Sequence, residues 1–505
     1  MISKIEVKGF KPFRNRQALQ LSPITVLCGV NSCGKTSLLQ CLLLLKQTLA
    51  DPSPNVILRL NGALLQLGTF ANVVFGHEVA DGLEIALELR DLSPLRRPRR
   101  GVFARSNWAI SAARFEVRFN QAEHTRDVVV DYFSASLWPA GEHGTDSEPV
   151  SVAASRSGDH YDLSFDSLLV LENPYVVSLM SHMKDFDKLI RVRKPMRLQR
   201  VPVLFSGFFP VAFRLNMREI TEQLGVQAKD LDGPEALTVG TIMSSLKEAV
   251  DRELESVSYI GPLRDEPQRH YVFDQGTTLE IGNKGEFAAH ILALEGKHNA
   301  EYVSDVFHPT PIRSSLNEAV DYWICQRFQL TSRLWIKEVD DAIYQVMLET
   351  AGGGTDVSIP DVGFGVSQLL PLVVEGLRHR NGRLLVFEQP EIHLHPRMQA
   401  ELADFLICLA LAGRRVVVET HSDHLLTRLR RRVAEDPSNR IGELLSVYFA
   451  QQREGASEFS KIPVDQCGSA EMWPEGFFDQ GDLDNRALLK AQFVKARAGR
   501  DESRT

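Results

Sequence analysis

An α/β fold is what this sequence predicts: a parallel core sheet flanked by helices, joined to an antiparallel β-subdomain and a mainly helical insertion. Three observations carry that expectation. The chain opens as strand, glycine-bearing loop and helix. From about 82 to 166 apolar and polar residues alternate with period two. From 364 to 430 the order returns to helix, strand, helix, strand, helix.

The elements follow in order. Ile2, Ile5 and Val7 begin an extended segment, and Ile24 to Leu27 read as a short buried strand. Leu38, Leu39, Leu42 and Leu45 then share one side of a helix. The stretches 82–90, 112–120 and 126–137 alternate as half-buried antiparallel strands do, with Pro94, Pro98 and Gly101 marking a loop between the first two. Residues 168–255 read as mainly helical, with a basic stretch from Lys188 to Arg200, and mixed helical sequence runs on to 350 around a strand-like segment ending at Pro262. Leu384 to Phe387 and Val416 to Glu419 are apolar runs suited to parallel strands. A chain of 505 residues exceeds one ordinary core, and three segments are expected: 1–167, 168–350 and 351–505.

Composition narrows the class. Hydrophobic residues at 44% and charged residues at 24% exclude a disordered, collagen-like or disulfide-stapled chain. A formal charge of -8 argues against a molecule that is basic throughout. Six cysteines without a C-x-x-C pair, an N-terminus without an apolar leader, and apolar runs far short of the ~20 residues of a membrane span point to a reduced, cytoplasmic protein with no membrane partner.

The strongest motif is Gly29-Val-Asn-Ser-Cys-Gly34-Lys35-Thr36-Ser37, a complete G-x-x-x-x-G-K-T match set after a strand and before a helix. Glycines let successive backbone N–H groups face one anion, and the helix N-terminus adds partial positive charge. Asn31, Ser32, Cys33, Gly34, Lys35, Thr36 and Ser37 are therefore expected to cradle ATP, with Lys35 on the β- and γ-phosphates and the Thr36 hydroxyl on Mg²⁺. Cys33 reads as a small filler of a tight loop in preference to a redox switch.

Downstream, Leu384 to Phe387 end in Glu388-Gln389-Pro390-Glu391, an acid suited to positioning magnesium. Thr420-His421-Ser422 follows the run VVVE, and Gly365-Val366-Ser367-Gln368 opens an apolar helix. In this order, with His393 to Pro396 between, the motifs resemble those of an ABC-type ATPase head: a bacterial AAA-family ATPase of the RecF, SMC and OLD-like kind, including Septu-type anti-phage defence ATPases. The segment 473–480 also resembles an uncharacterised bacterial branch of these proteins.

That resemblance implies roles. Glu388 matches the Walker B acid and a magnesium ligand beside Thr36, and His421 the switch histidine of the γ-phosphate. Gly365, Ser367 and Gln368 match a divergent signature motif that reaches the nucleotide of the opposite subunit, and 393–396 the D-loop. It further implies a homodimer closing on two ATP molecules, with a separate effector, a nuclease or toxin, on another chain. One departure matters: Gln389 stands where most such heads carry a catalytic glutamate. An amide cannot take a proton from the attacking water, and losing a general base costs ~10²–10⁴ in rate. Slow turnover is expected, with Glu391 as a substitute base.

Two other readings remain. One is a DNA-repair or chromosome-maintenance ATPase, drawing on basic clusters at Arg96–Arg100, Arg191–Arg200 and Arg428–Arg432, although solvated or ion-paired arginines are the simpler account of each. The other is a metal-dependent nuclease using Glu391, His393 and His395, or Asp479, Asp482 and Asp484. A D-loop and a solvated acidic turn explain these groups more simply. Transport and GTP specificity are disfavoured, because a clean LSGGQ, a membrane segment and an N-K-x-D motif are lacking.

Overall fold

The computed structural model describes residues 1–505 except 52, 54–55, 93–109, 123–124, 140–147, 168, 170–194, 225–235, 273–279, 341–342, 351, 353, 379–382, 471–483 and 493–505. Its centre is a six-stranded sheet in the order Val257–Ile260, Leu384–Glu388, Arg415–Glu419, Ile24–Gly29, Leu445–Arg453, Ala456–Ile462. The first five strands are mutually parallel and the last is an antiparallel edge.

Both faces of this sheet are covered, which explains its near-continuous apolar strands. Ile24, Val26, Cys28, Leu385, Phe387, Val416 and Val418 face one core, shared with helices Phe364–Leu377, Pro396–Leu411 and Asp423–Glu435. Leu27, Leu384, Val386 and Val417 face the other, shared with helices Lys35–Leu49 and Thr241–Glu255. The period-two division of each strand between two cores fixes its register, since a one-residue slip would exchange the faces.

A second, eight-stranded antiparallel sheet runs Gln17–Gln20, Ile2–Lys8, Leu83–Leu89, Ile110–Gln121, Val128–Pro139, Val150–Ser157, His160–Asp166, Pro195–Val201. Its apolar face joins the core of helix Lys35–Leu49, with Phe115, Phe119 and Phe133 packed on Phe208 and Phe209. The α/β architecture and the antiparallel subdomain are as the sequence predicts.

The mainly helical reading of 168–350 is corrected. Among the described residues, Pro195–Val201 completes the antiparallel sheet, and Val203–Ser206, Phe209–Asn216 and Ala236–Val239 form a three-stranded sheet. Strands Asn299–Tyr302, Ile312–Ser315, Arg333–Asp340 and Ile343–Glu349 follow, alongside helices Thr241–Glu255 and Ala288–Glu295. The misreading has a physical source: Met196, Leu198 and Val201 are buried while the Arg and Gln between them are exposed, so a strand imitates a basic helical face. Val257–Ile260, from the middle of this stretch, even supplies a strand to the parallel sheet. No helix among the described residues is long and apolar enough to cross a membrane.

Candidate nucleotide-binding site

Strand Ile24–Gly29 delivers the chain to the phosphate loop, and helix Lys35–Leu49 carries it away. Gly29 and Gly34 have φ of 138° and 82°, and a Cβ at Gly29 would lie 2.2 Å from the carbonyl oxygen of Ala450. Side chains are thus excluded where the loop must curl. Asn31 and Ser32 are exposed at its tip, and Thr36 and Ser37 are half-buried in the first helical turn. Lys35 is 3% exposed, and its Nζ donates to the carbonyls of Gly29 at 3.1 Å and Val30 at 2.7 Å. Burial lowers the Lys35 pKa against the pull of Glu419. Cys33 is buried and its thiol is pushed up by burial, which makes it a poor nucleophile and suits the loop-filler reading.

The acids meet this loop at the carboxyl ends of the parallel strands, where ligands of open α/β sheets bind. Glu388 and Glu419 are opposite one another in register. Thr36 Oγ1 donates to both carboxylate oxygens of Glu419, each at 3.0 Å. Tyr259 Oη donates to Glu388 Oε2 at 2.6 Å, and Arg264 Nη2 donates to the main-chain oxygens of Glu388 at 3.3 Å and Gln389 at 3.2 Å. Burial, then the nearby Glu388, pushes Glu419 up to about 7, with Thr36 and Lys35 opposing. Glu388 is raised by burial against Tyr259, Thr36 and Arg264. Burial lowers Arg264 to about 10 while Glu391 and Glu388 hold its charge.

The turn after Glu388 is tightly specified. Gln389 has φ of 44°, and its N–H donates to the carbonyl of Glu419 at 2.7 Å. Glu391 is buried, with Oε1 accepting from the His421 N–H at 2.7 Å, and burial raises its pKa. The expected substitute base thus holds the Thr420-His421-Ser422 turn through Oε1, while its buried Oε2 has no hydrogen-bond partner. In that turn Thr420 Oγ1 accepts from the Ser422 N–H, and Ser422 Oγ caps helix Asp423–Glu435 while donating to Gln399 Oε1 at 2.6 Å. The two hydroxyl residues build the turn and leave the imidazole between them at the site. His421 is half-buried, and burial together with Lys35 lowers its pKa.

Lys35, Thr36, Glu388, Gln389, Glu391 and His421 are thus brought to one sheet edge. Gly365, Ser367 and Gln368 lie elsewhere, in the first turns of helix Phe364–Leu377, with the Ser367 and Gln368 side chains buried. His393 has φ of 64° and His395 caps helix Pro396–Leu411. Among the described residues no group of three or more His, Cys, Asp or Glu is arranged to hold a metal ion, and Asp479 and Asp482 lie outside them. Of the arginine clusters, Arg96–Arg100, Arg191, Arg193 and Lys194 also lie outside the described residues. Arg428 and Arg432 pair with the buried Asp404 at 3.2 and 2.7 Å, and Arg431 pairs with Glu435 at 2.7 Å.

Sequence reasoning missed Tyr259 and Glu419 as site residues, and it singled out the loop of Arg264 without fixing a role for it. Glu419 carried a usable signal, an acid closing an apolar strand as Glu388 does. The loop of Arg264 is held by the segment 282–285: Gly261 N–H donates to Asn283 O at 2.8 Å and Asp265 N–H to Lys284 O at 3.0 Å. That segment docks in turn on Pro371, which a Cβ at Gly285 would approach to 2.3 Å.

A sequence profile of the AAA ATPase domain matches residues 1–85 and 295–426, and a profile for a protein of unknown function, DUF3696, matches 443–488. No protein of curated function matches the sequence significantly. Among solved structures, the chain is similar to an SMC head bound to the C-terminal winged-helix domain of ScpA, at 11% identity and a TM-score of 0.36, covering 92% of this chain and 98% of the other. It is also similar to the SMC head domain from Thermotoga maritima, at 11% identity, a TM-score of 0.34, and 92% and 99% coverage. An SMC head with coiled coil and joint from Pyrococcus yayanosii gives 11% identity, a TM-score of 0.38, and 92% and 98% coverage. The AAA ATPase match spans the phosphate loop, Glu388 and His421 but neither Tyr259 nor Arg264. Residues 1–85 and 295–426 are thus similar to the AAA ATPase domain, and the chain folds as an α/β protein whose parallel sheet carries the phosphate loop.

Proposed function

We propose that this chain binds ATP with Mg²⁺, hydrolyses it slowly, and acts as a nucleotide-gated homodimeric switch that controls a separately encoded effector in bacterial anti-phage defence. The observation that carries the nucleotide reading is the convergence of Lys35, Thr36, Glu388, Glu419 and His421 at one edge of the parallel sheet. Lys35 and the loop N–H groups bind the phosphates, and the His421 imidazole N–H donates a hydrogen bond to the γ-phosphate. A hydroxyl beside buried carboxylates is a hard-oxygen donor set that fits Mg²⁺, with Thr36 and Glu388 as its ligands. When bound, the ion neutralises charge on the β- and γ-phosphate oxygens. Gln389 orients water without taking its proton, and Glu391, bonded through Oε1 to the His421 N–H with Oε2 unpartnered, is the remaining acceptor at the turn. The amide of Gln389 supports a clamp or timer more than a fast enzyme. Gly365, Ser367 and Gln368 act on the nucleotide of the second subunit in this reading.

The defence setting and the separate effector rest on the resemblance to Septu-type ATPases. ATP turnover by purified protein, with and without duplex DNA and with Lys35→Ala as the blank, is the test. Slow turnover indifferent to DNA is expected. Strong stimulation by DNA would replace the switch with a chromosome-maintenance ATPase.

A further inference from the structure

Sequence motifs assign the magnesium-positioning acid to Glu388 alone. The geometry distributes that task differently. Strand Arg415–Glu419 lies between the phosphate-loop strand and the Glu388 strand, with Glu419 opposite Leu27 on one side and Glu388 on the other. Of the two strand-end acids, Glu419 is thus one strand closer to the loop. Both of its oxygens lie 3.0 Å from Thr36 Oγ1, the expected metal ligand, and the residue is only 2% exposed. Glu388 is held from the far side by Tyr259, and its main chain by Arg264, whose buried Nε and Nη1 have no hydrogen-bond partner. The positive group acting on Glu419 is Lys35, already bonded to two loop carbonyls.

We infer that Glu419 is a second carboxylate of the magnesium site, so that Thr36, Glu388 and Glu419 together hold the divalent cation that accompanies the nucleotide. This rests on the proposal that the site binds Mg²⁺ and ATP. Two buried anions beside a triphosphate make binding strongly dependent on the cation, because in its absence like charges oppose one another in a site of low dielectric.

The test uses the full chain and two binding readouts. Mn²⁺ affinity in the presence of a non-hydrolysable ATP analogue is measured by electron paramagnetic resonance, and a fluorescent ATP analogue is titrated in EDTA. Glu419→Gln is expected to weaken Mn²⁺ by about tenfold or more, the scale of lost metal-site partners, while binding in EDTA is equal or tighter. Glu419→Asp, which keeps the charge on a shorter arm and guards against misfolding of the first variant, is expected to fall between. Mn²⁺ affinity of both variants within twofold of the unaltered protein would overturn the assignment. Failure of the unaltered protein to bind the analogue, or binding indifferent to Lys35→Ala, would instead sink the nucleotide proposal beneath it.

Discussion

Three glutamates gather at two places in this molecule, with opposite outcomes. On the antiparallel sheet, Arg16 bonds Glu6, Glu84 and Glu116, each at 2.8 Å, with Arg114 on Glu6 and Arg118 on Glu84. Burial alone would raise Glu6, but Lys4, Arg16 and Arg114 overcome it and hold its carboxyl at about 2. Arg16 likewise lowers Glu116. At the parallel sheet edge, Glu388, Glu391 and Glu419 face hydroxyls, a backbone N–H and one another, and all three are raised. Buried acids matched by guanidinium groups hold a fold together. Acids left raised beside a phosphate loop, where Arg264 and Lys35 only partly offset burial, are the arrangement from which the magnesium proposal is argued.

That contrast can be broken by substitution, most severely at the nucleotide edge. Lys35→Ala should cut ATP turnover by about two orders of magnitude or more, measured as phosphate release, because it removes the one cation seated in the loop. Gln389→Glu should raise turnover by about tenfold or more, since it restores a proton acceptor at the turn; an unchanged rate would sink the clamp reading. A smaller effect belongs to the outer cluster. Glu6→Gln should leave turnover near its original value and cost about 1–2 kcal/mol of stability at pH 7, after discounting for the part-exposed Arg16. The sign follows from a depressed carboxylate. Because the folded pKa lies below the unfolded one, the contribution is complete above about 4.5 and is lost as pH falls toward about 2. Denaturant melts of the two proteins should therefore converge as the buffer is taken from pH 5 to pH 2.5.

Much of the site was legible from spacing. The G-x-x-x-x-G-K-T run needs only local backbone geometry to act, so Gly29, Gly34, Lys35 and Thr36 could be placed before any fold was known. Glu388 and His421 were legible because apolar runs deliver both to strand ends. The readings that changed depended on neighbours. Glu391 reads as a spare base in the sequence, and in the structure one of its oxygens also holds the His421 N–H. The strand Pro195–Val201 looked helical because its buried face is interrupted by long charged side chains.

By itself, the sequence determined the alternating strands and helices, the phosphate loop and the acid closing each apolar strand, because these follow from periodicity and from the conformations glycine permits. Only the tertiary structure decided that Glu419 stands against Thr36, a residue 383 positions away, that Tyr259 and Arg264 close on Glu388, and which arginines are already paired. The reason is the parallel sheet. Its strands come from three separated parts of the chain, 24–29, 257–260 and 384–462, and an acid at a strand end acquires its partners only when the strand order is set.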